Sequence, residues 1–455
     1  MTRVLINCLD EVNESMAGPA IRSWEFANIL SRKYKVVLLT PNDSKLKSKN
    51  FDIVSLSKKT IKDEIIKADY LISQTIRPKI AKIAKKHNTK IIIDSYDPIT
   101  IEGLEVEKEK SYSYRVSTNK MLLLEQNLSY IYASHVICAS EKQRDYWLGV
   151  LSAMNRLTPS HYDSDNSLRR LIDVVPFGLS NNPPKKDNST SLRSKFGLNK
   201  SDFVLLWGGG IWNWFDPLTL IKAVSEVSKE IPVKLVFMGT DHPNNKIERM
   251  EMVTKAMDLS NSLGLTNKLV FFNEGWVPYK ERQQFLLDAD VGVSMHFDHL
   301  ETRFSFRTRI LDYIWASLPI IATQGDSFAE LIEDKELGIV VNFQDASSIT
   351  VAIKELYNNK SFYGAVQSNL KNIQEDFYWE KCVLPIEQMI EHDNGSQLFQ
   401  SPAVALASAS LVSLYNAHSV VAKKLIKKVK IRTTLLHLKK VRKQYSNIDK
   451  EMRKK

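Results

Sequence analysis

Three stretches of this sequence gather side chains that could bind or move charge. Residues 304–316, FSFRTRILDYIWA, set Arg307, Arg309 and Asp312 in one short segment. Ser305 reads as the N-cap of a helix whose apolar stripe is Ile310, Ile314 and Trp315, which puts Arg307 in the first turn. A cation there opposes the helix dipole, so Arg307 makes chemical sense if an anion sits between it and the free amides. The alternative is a solvated Arg307 beside an ordinary surface pair of Arg309 and Asp312, three residues apart on one face. The second stretch is the glycine run Gly208, Gly209, Gly210. It follows the apolar segment 203–207 and leads to Asp216 and Pro217, a good N-cap and first helical residue. Glycines in that setting let backbone approach a phosphate closely, although glycine turns also exist only to turn. The third is DSYDP, residues 94–98, directly after Ile91-Ile92-Ile93. Asp94 and Asp97 there are candidates for a base or for hydroxyl binding, against the simpler reading of Asp97-Pro98 as a turn.

Other candidates are weaker. Trp276, in the loop GWVP, could stack on a nucleobase or belong to the core. His296, Asp298 and His299 resemble a metal cluster only faintly, with no further ligands nearby, and no metal is expected. No nucleotide motif of the GxGxxG or Walker type is present.

The elements that must position these residues are legible as alternation. Residues 4–9, 35–40, 51–56, 70–75, 90–94, 136–140 and 172–175 are strand-like. A second series follows at 203–207, 234–239, 269–272, 291–296, 319–323 and 338–341. Continuous apolar strands separated by helical stretches predict parallel sheets covered on both faces, with ligands outside the strand carboxyl ends. After the first strand, Gly18 and Pro19 open a helix carrying Ile21, Trp24, Ala27 and Leu30, and Gly18 lets a ligand come close. Residues 152–170 read as an exposed loop. The hydrophilic run 180–194 is the best domain boundary. Residues 377–390 read as an amphipathic helix closing the second domain. The expected domains are therefore 1–180, 181–392 and a tail, 393–455.

Charge sharpens that division. Of the net +11, residues 401–455 carry +12, with 14 Lys and Arg against 2 acids, so the remainder is nearly neutral at −1. That argues against reading the whole protein as a nucleic-acid binder. Residues 402–422 are Ala/Ser-rich but too polar to favour a bilayer span. Residues 423–455 are basic and amphipathic, which fits an interfacial helix on anionic lipid, a solvated tail, or contact with a partner chain. Three dispersed cysteines, Cys8, Cys138 and Cys382, and an N-terminus without signal-peptide architecture imply a reduced, cytoplasmic setting.

Taken together, MAGPAIR (16–22), VPFGL (175–179), GGGIWNWFDPLTLIKAV (208–224), GTDHP (239–243), GWVPY (275–279), FRTRILDYIWASLPIIAT (306–323) and QGDSFAELI (324–332) resemble GT-B fold glycosyltransferases, within them glycosyltransferase family 4. The resemblance covers roughly residues 1–392. It implies an α/β fold of two Rossmann-like domains facing each other across a cleft, here with a basic C-terminal helical tail. It further implies a retaining, metal-independent hexosyltransferase that needs no cofactor and uses a nucleotide-diphosphate sugar as donor. Asp312 stands at the position that binds the nucleotide ribose. The family's preceding glutamate falls on Phe304, and Glu301 is the nearest substitute. The family's Arg and Lys of the phosphate loop are absent: Gly209 and Gly210 run into Trp212. Arg307 and Arg309 are the groups that could replace that charge. The donor-side set is then Gly18, Gly209, Gly210, Trp212, Trp276, Ser305, Arg307, Arg309 and Asp312, and the catalytic candidates are Asp97, Asp94, Glu301 and Arg307. The acceptor expected is a glycan or lipid-linked hydroxyl in surface polysaccharide, lipopolysaccharide or capsule synthesis, reached at the inner face of the cell membrane. A non-catalytic binding subunit and a nucleotide-sugar epimerase are the rival readings.

Overall fold

The first strand, β1 (Arg3–Asn7), is apolar and buried along its centre, and so are most strands after it. The computed structural model describes residues 1–187, 191–244 and 247–392. Behind β1 come β2 (Lys35–Thr40), β3 (Asp52–Ser55), β4 (Tyr70–Ser73), β5 (Lys90–Asp94), β6 (His135–Cys138) and β7 (Ile172–Val174). They form a seven-stranded sheet in the order β3-β2-β1-β4-β5-β6-β7, every pairing parallel. The second series is β8 (Phe203–Trp207), β9 (Val233–Phe237), β10 (Val270–Phe272), β11 (Val291–Ser294), β12 (Ile320–Thr323) and β13 (Gly338–Val341). It forms a six-stranded parallel sheet ordered β10-β9-β8-β11-β12-β13.

Each sheet reverses its strand order beside the first strand of its half. At β1/β4 and at β8/β11 the connecting helices diverge to opposite faces and leave a crevice at the strand carboxyl ends. The glycine-bearing segments sit at those ends. Gly18–Leu30 forms the first helix, with proline in its opening turn, and Pro217–Val227 forms the helix after β8, capped by Asp216 Oδ1 accepting from the Thr219 amide at 3.0 Å.

Several expectations are corrected. Residues 152–170 are not simply a loop: a helix runs to Ala153 and a short one, Pro159–Ser164, starts from the Thr158 cap, where proline suits the first turn. The closing segment is broken rather than continuous. It comprises a 3-10 turn Gln374–Phe377 and helices Trp379–Cys382 and Leu384–Glu391, with proline opening the last one. Nor does it stay with the second sheet. Leu179 and Phe377–Trp379 bond backbone to backbone. Glu380 and Glu387 pair with Arg32 and Lys33 at 3.0 and 2.6 Å, and Tyr70 Oη donates to Ile390 O at 3.3 Å. Residues 379–391 therefore pack on the first half, although they follow the second sheet in sequence. The tail 393–455, with its amphipathic stretch 423–455, lies outside the described residues. Among those described, no helix is long and apolar enough to cross a membrane.

Candidate functional site

Between the two sheets lies a cleft of ≈ 320 Å³ lined from both halves. The first half contributes the start of the Gly18–Leu30 helix, the Tyr96-Asp97-Pro98 turn beyond β5, and Glu102. The second contributes the glycine turn, Trp212, Trp214, Trp276, Arg282, Glu301 and residues 305–309, with Asp312. The halves touch across it: Trp276 Nε1 donates to Met16 O at 3.2 Å and Gln143 Nε2 to Phe304 O at 2.8 Å.

At the glycine turn the three amides are not equivalent. The Gly208 amide donates to Tyr313 Oη at 2.8 Å, and Tyr313 in turn reaches Leu206 O and Val293 O, so that phenol fixes β8 to β11. The amides that remain candidates for a ligand are those of Gly209 and Gly210. Gly209 has φ +70°, which favours glycine, and a Cβ on Gly210 would press on the Trp276 ring at 3.2 Å. Trp276 thus packs on the turn itself, against Gly210 and Gly239, and is half-buried.

The arginine segment folds differently from its expected form. The helix is Thr308–Trp315 and starts at Arg307, which offers no side-chain cap. Ser305 instead ends the preceding helix, Leu300–Phe304, and its Oγ donates to Thr302 O at 2.9 Å. Arg307 is already paired: Nη1 and Nη2 donate to Glu301 Oε1 and Oε2 at 2.8 and 2.6 Å, both residues being buried. Its Nε has no hydrogen-bond partner, and Asp326 Oδ2 stands 3.9 Å away. Behind it His296 contacts Thr323 Oγ1 and Asp326 Oδ2. Burial pushes Asp326 up to about 6, with Arg307 opposing, and pushes His296 well down, with the Arg307 charge adding to the fall. His296 is engaged in this network, and among the described residues no group of three or more His, Cys, Asp or Glu side chains is arranged to hold a metal.

Arg309 does not pair with Asp312. Its Nη2 donates to Gly210 O at 2.9 Å, and its guanidinium lies over the Phe215 and Trp207 rings at 4.4 and 4.7 Å. Nη1 is buried with no partner, and so is Trp214 Nε1 in the same cleft wall. Asp312 accepts from Arg282 Nε at 2.9 Å. Arg282 stacks over Tyr279 and Trp315.

On the opposite wall Asp94 and Asp97 part company. Asp94 does not line the cleft. Arg22 Nε and Nη2 hold it at 2.7 and 2.9 Å, so its charge is neutralised inside the first half. Asp97 faces the cleft. Burial pushes its carboxyl up to about 7; Asp94 and Glu301 add to the rise, Tyr96 and Arg22 oppose it. Glu102 is raised too, by burial and then by Asp97 and Glu301. Sequence reasoning missed Glu102, Trp214 and Arg282. Glu102 alone had a signal: an acid on the helix that follows Asp97.

Comparison with known proteins agrees with this architecture. Residues 202–359 match the family model described as glycosyl transferases group 1. The putative glycosyltransferase EpsD of Bacillus subtilis (strain 168) is 24% identical over 168 residues, which is 37% of this chain and 39% of that relative. The chain thus aligns with well under half of that relative's length. Among solved structures, Anabaena Alr3699/HepE in complex with UDP and glucose superposes with a TM-score of 0.60 at 14% identity, covering 87% of this chain and 100% of that one. WaaG, a glycosyltransferase involved in lipopolysaccharide biosynthesis, gives 0.58 at 15% identity over 86% and 100%. At such identities the structures speak for the fold. Two parallel sheets with a cleft at their facing carboxyl ends give this chain the GT-B fold, and its residues 202–359 are similar to the glycosyl transferases group 1 family.

Proposed function

We propose that this protein is a retaining, metal-independent hexosyltransferase that moves a sugar from a nucleotide-diphosphate donor to a glycan or lipid-linked hydroxyl in surface polysaccharide synthesis. The observation that carries the reading is the pair of buried, unpartnered donors at the glycine turn, Arg309 Nη1 and Trp214 Nε1. Leaving such groups unmade costs about 1–3 kcal/mol each, which an anion accepting from both would relieve. With the Gly209 and Gly210 amides they form a cradle for a diphosphate, and the family's missing Arg and Lys are replaced from the Thr308–Trp315 helix. As the bond from the anomeric carbon to the phosphate oxygen breaks, its electron pair goes to that oxygen, where these fixed donors offset the developing charge. The acceptor oxygen forms the new bond at the anomeric carbon. Its proton passes to Asp97, whose raised value suits a base at neutral pH. Asp312, paired with Arg282 and partly exposed in the cleft, takes the ribose hydroxyls. Arg307 and Glu301 stand where the donor sugar would lie.

HepE is described with UDP and glucose and WaaG with lipopolysaccharide synthesis, which supports the donor and acceptor classes. Retention rests on the resemblance. We place the protein in the cytoplasm at the inner face of the membrane, with the basic stretch 423–455 contacting lipid.

Calorimetry with UDP, GDP, ADP and dTDP on the wild type and Arg309→Lys tests this. One nucleotide binds tightly, and the variant loses about 2 kcal/mol because lysine lacks the guanidinium fork. A folded protein that binds none of the four is a non-catalytic subunit instead. A nucleotide sugar consumed without any acceptor points to the epimerase.

A further inference from the structure

We propose that Arg282 is a specificity-determining residue for the nucleoside of the donor: by committing one oxygen of Asp312, it makes the site take 2′-deoxyribose nearly as readily as ribose. The inference deepens the proposed function and rests on its placing of the ribose at Asp312. Asp312 Oδ1 accepts from Arg282 Nε at 2.9 Å, which leaves Oδ2 as the atom to meet a ligand. An incoming nucleotide does not displace this arginine easily. Its Nη1 donates to Tyr279 O at 2.7 Å, and the guanidinium lies over the Tyr279 and Trp315 rings at 3.8 and 4.7 Å. The Arg282 side chain is 11% exposed against 30% for Asp312, so the cleft reaches the acid more than the base. Both rings are anchored in turn. The Tyr279 amide donates to Glu14 O at 3.0 Å and its hydroxyl to Glu25 Oε1 at 3.3 Å, both from the first half. Trp315 Nε1 donates to Asn182 O at 2.8 Å. A planar guanidinium held by two bonds and two rings keeps its place.

A carboxylate with both oxygens open takes the two hydroxyls of a ribose as a fork, one hydroxyl to each oxygen. Here the fork has one prong. Oδ2 accepts one hydroxyl in good geometry, and the second must share that oxygen or keep its water, so its net contribution is small. A site rejects an analogue lacking a hydroxyl strongly when its own buried polar group is then left unpaired. Loss of the 2′-hydroxyl leaves nothing unpaired at Asp312, because Oδ1 keeps Arg282 and Oδ2 keeps the 3′-hydroxyl. The Arg282 charge also offsets that of the carboxylate and weakens its hold on any neutral hydroxyl.

Calorimetry on the full chain tests this with UDP, GDP, ADP and 5-methyl-UDP, each beside its 2′-deoxy form. The wild type should bind the two forms of its nucleotide with affinities within about fivefold of each other. Arg282→Met releases Oδ1 and should raise the preference for the ribose form about tenfold. Arg282→Lys keeps a cation beside Oδ1 and should stay near the wild-type ratio. The ratio is the readout because a general loosening of the site weakens both forms alike. Should the Met variant lose its cooperative melting transition, Arg282→Leu replaces it. A wild type that prefers ribose by more than about fivefold overturns the role of Arg282 and leaves the donor site standing. So does a ratio that Arg282→Met moves by less than about fivefold. No binding of any of these probes overturns the donor site itself, and this inference with it.

Discussion

Two buried arginine–carboxylate pairs, one in each half, differ in a way that separates scaffold from site. In the first half Arg22 grips Asp94 with two nitrogens, and its remaining capacity goes to Pro176 O at 3.0 Å and Val175 O at 2.8 Å. Its guanidinium lies over Phe26 and Tyr96. Helix, strand end and interdomain connection meet on one cation whose three nitrogens all donate, and which is 1% exposed. In the second half Arg307 grips Glu301 with equally short bonds, yet its Nε lacks a hydrogen bond and both residues line the cleft. The same chemistry is therefore closed in one place and open in the other. A nitrogen left without a partner, more than burial or bond length, tells a structural ion pair from one that a ligand can still address.

Breaking the closed pair should have the largest effect. Arg22→Met leaves Asp94 buried and unpaired, and urea unfolding at pH 7 should show a loss of about 3–5 kcal/mol. A loss below 1 kcal/mol would mean that Arg22 is not the anchor described. Arg307→Met should cost less, about 1–3 kcal/mol, because Glu301 can draw water from the cleft. It should also impair turnover at any donor concentration, whereas Arg22→Met acts chiefly through stability. Arg309→Lys sharpens the contrast from the other side. It should lower nucleotide affinity by the ~2 kcal/mol given above with a smaller stability change; equal losses in both would make Arg309 scaffold like Arg22.

A pH-dependent effect concerns Asp97, three residues beyond the Arg22–Asp94 pair. Its folded value of about 7 lies above the ordinary 3.8, so ionising it costs the fold progressively as pH rises from about 4 to 7. Asp97→Asn should therefore be neutral below pH 4 and increasingly stabilising relative to the wild type as pH rises toward 8. Wild-type transfer should rise through pH 7 as the carboxylate forms, and the Asn variant should lose that limb. Unfolding curves of both proteins at pH 4 and pH 8, with a pH–rate profile, check the sign.

Much of the fold was legible because parallel strands are buried on both faces. Their apolar runs can be read without knowing a neighbour, and β2, β5, β8 and β13 begin and end where those runs do. The last helices were misplaced for the converse reason. An amphipathic stripe says that residues 379–391 bury one face, not which half buries it, and Arg32, Lys33 and Tyr70 proved to be the partners.

The candidate site was half legible. Residue type and spacing brought forward Gly209, Gly210, Asp97, Arg307, Arg309 and Asp312, all of which line the cleft. Their partners were another matter. Asp94 and Asp97 look alike in sequence, yet one is neutralised by an arginine 72 residues away and the other faces the cleft. Gly208 resembles its two neighbours, but a tyrosine 105 residues on takes its amide.

The sequence by itself determined two parallel sheets, the glycine turn and the charged segment, because burial and turn chemistry act over a few adjacent residues. Only the tertiary structure decided which charges neutralise one another and which stay open to a ligand. Ion pairing and hydrogen bonding act over a few ångströms between distant segments, and no local pattern records that distance.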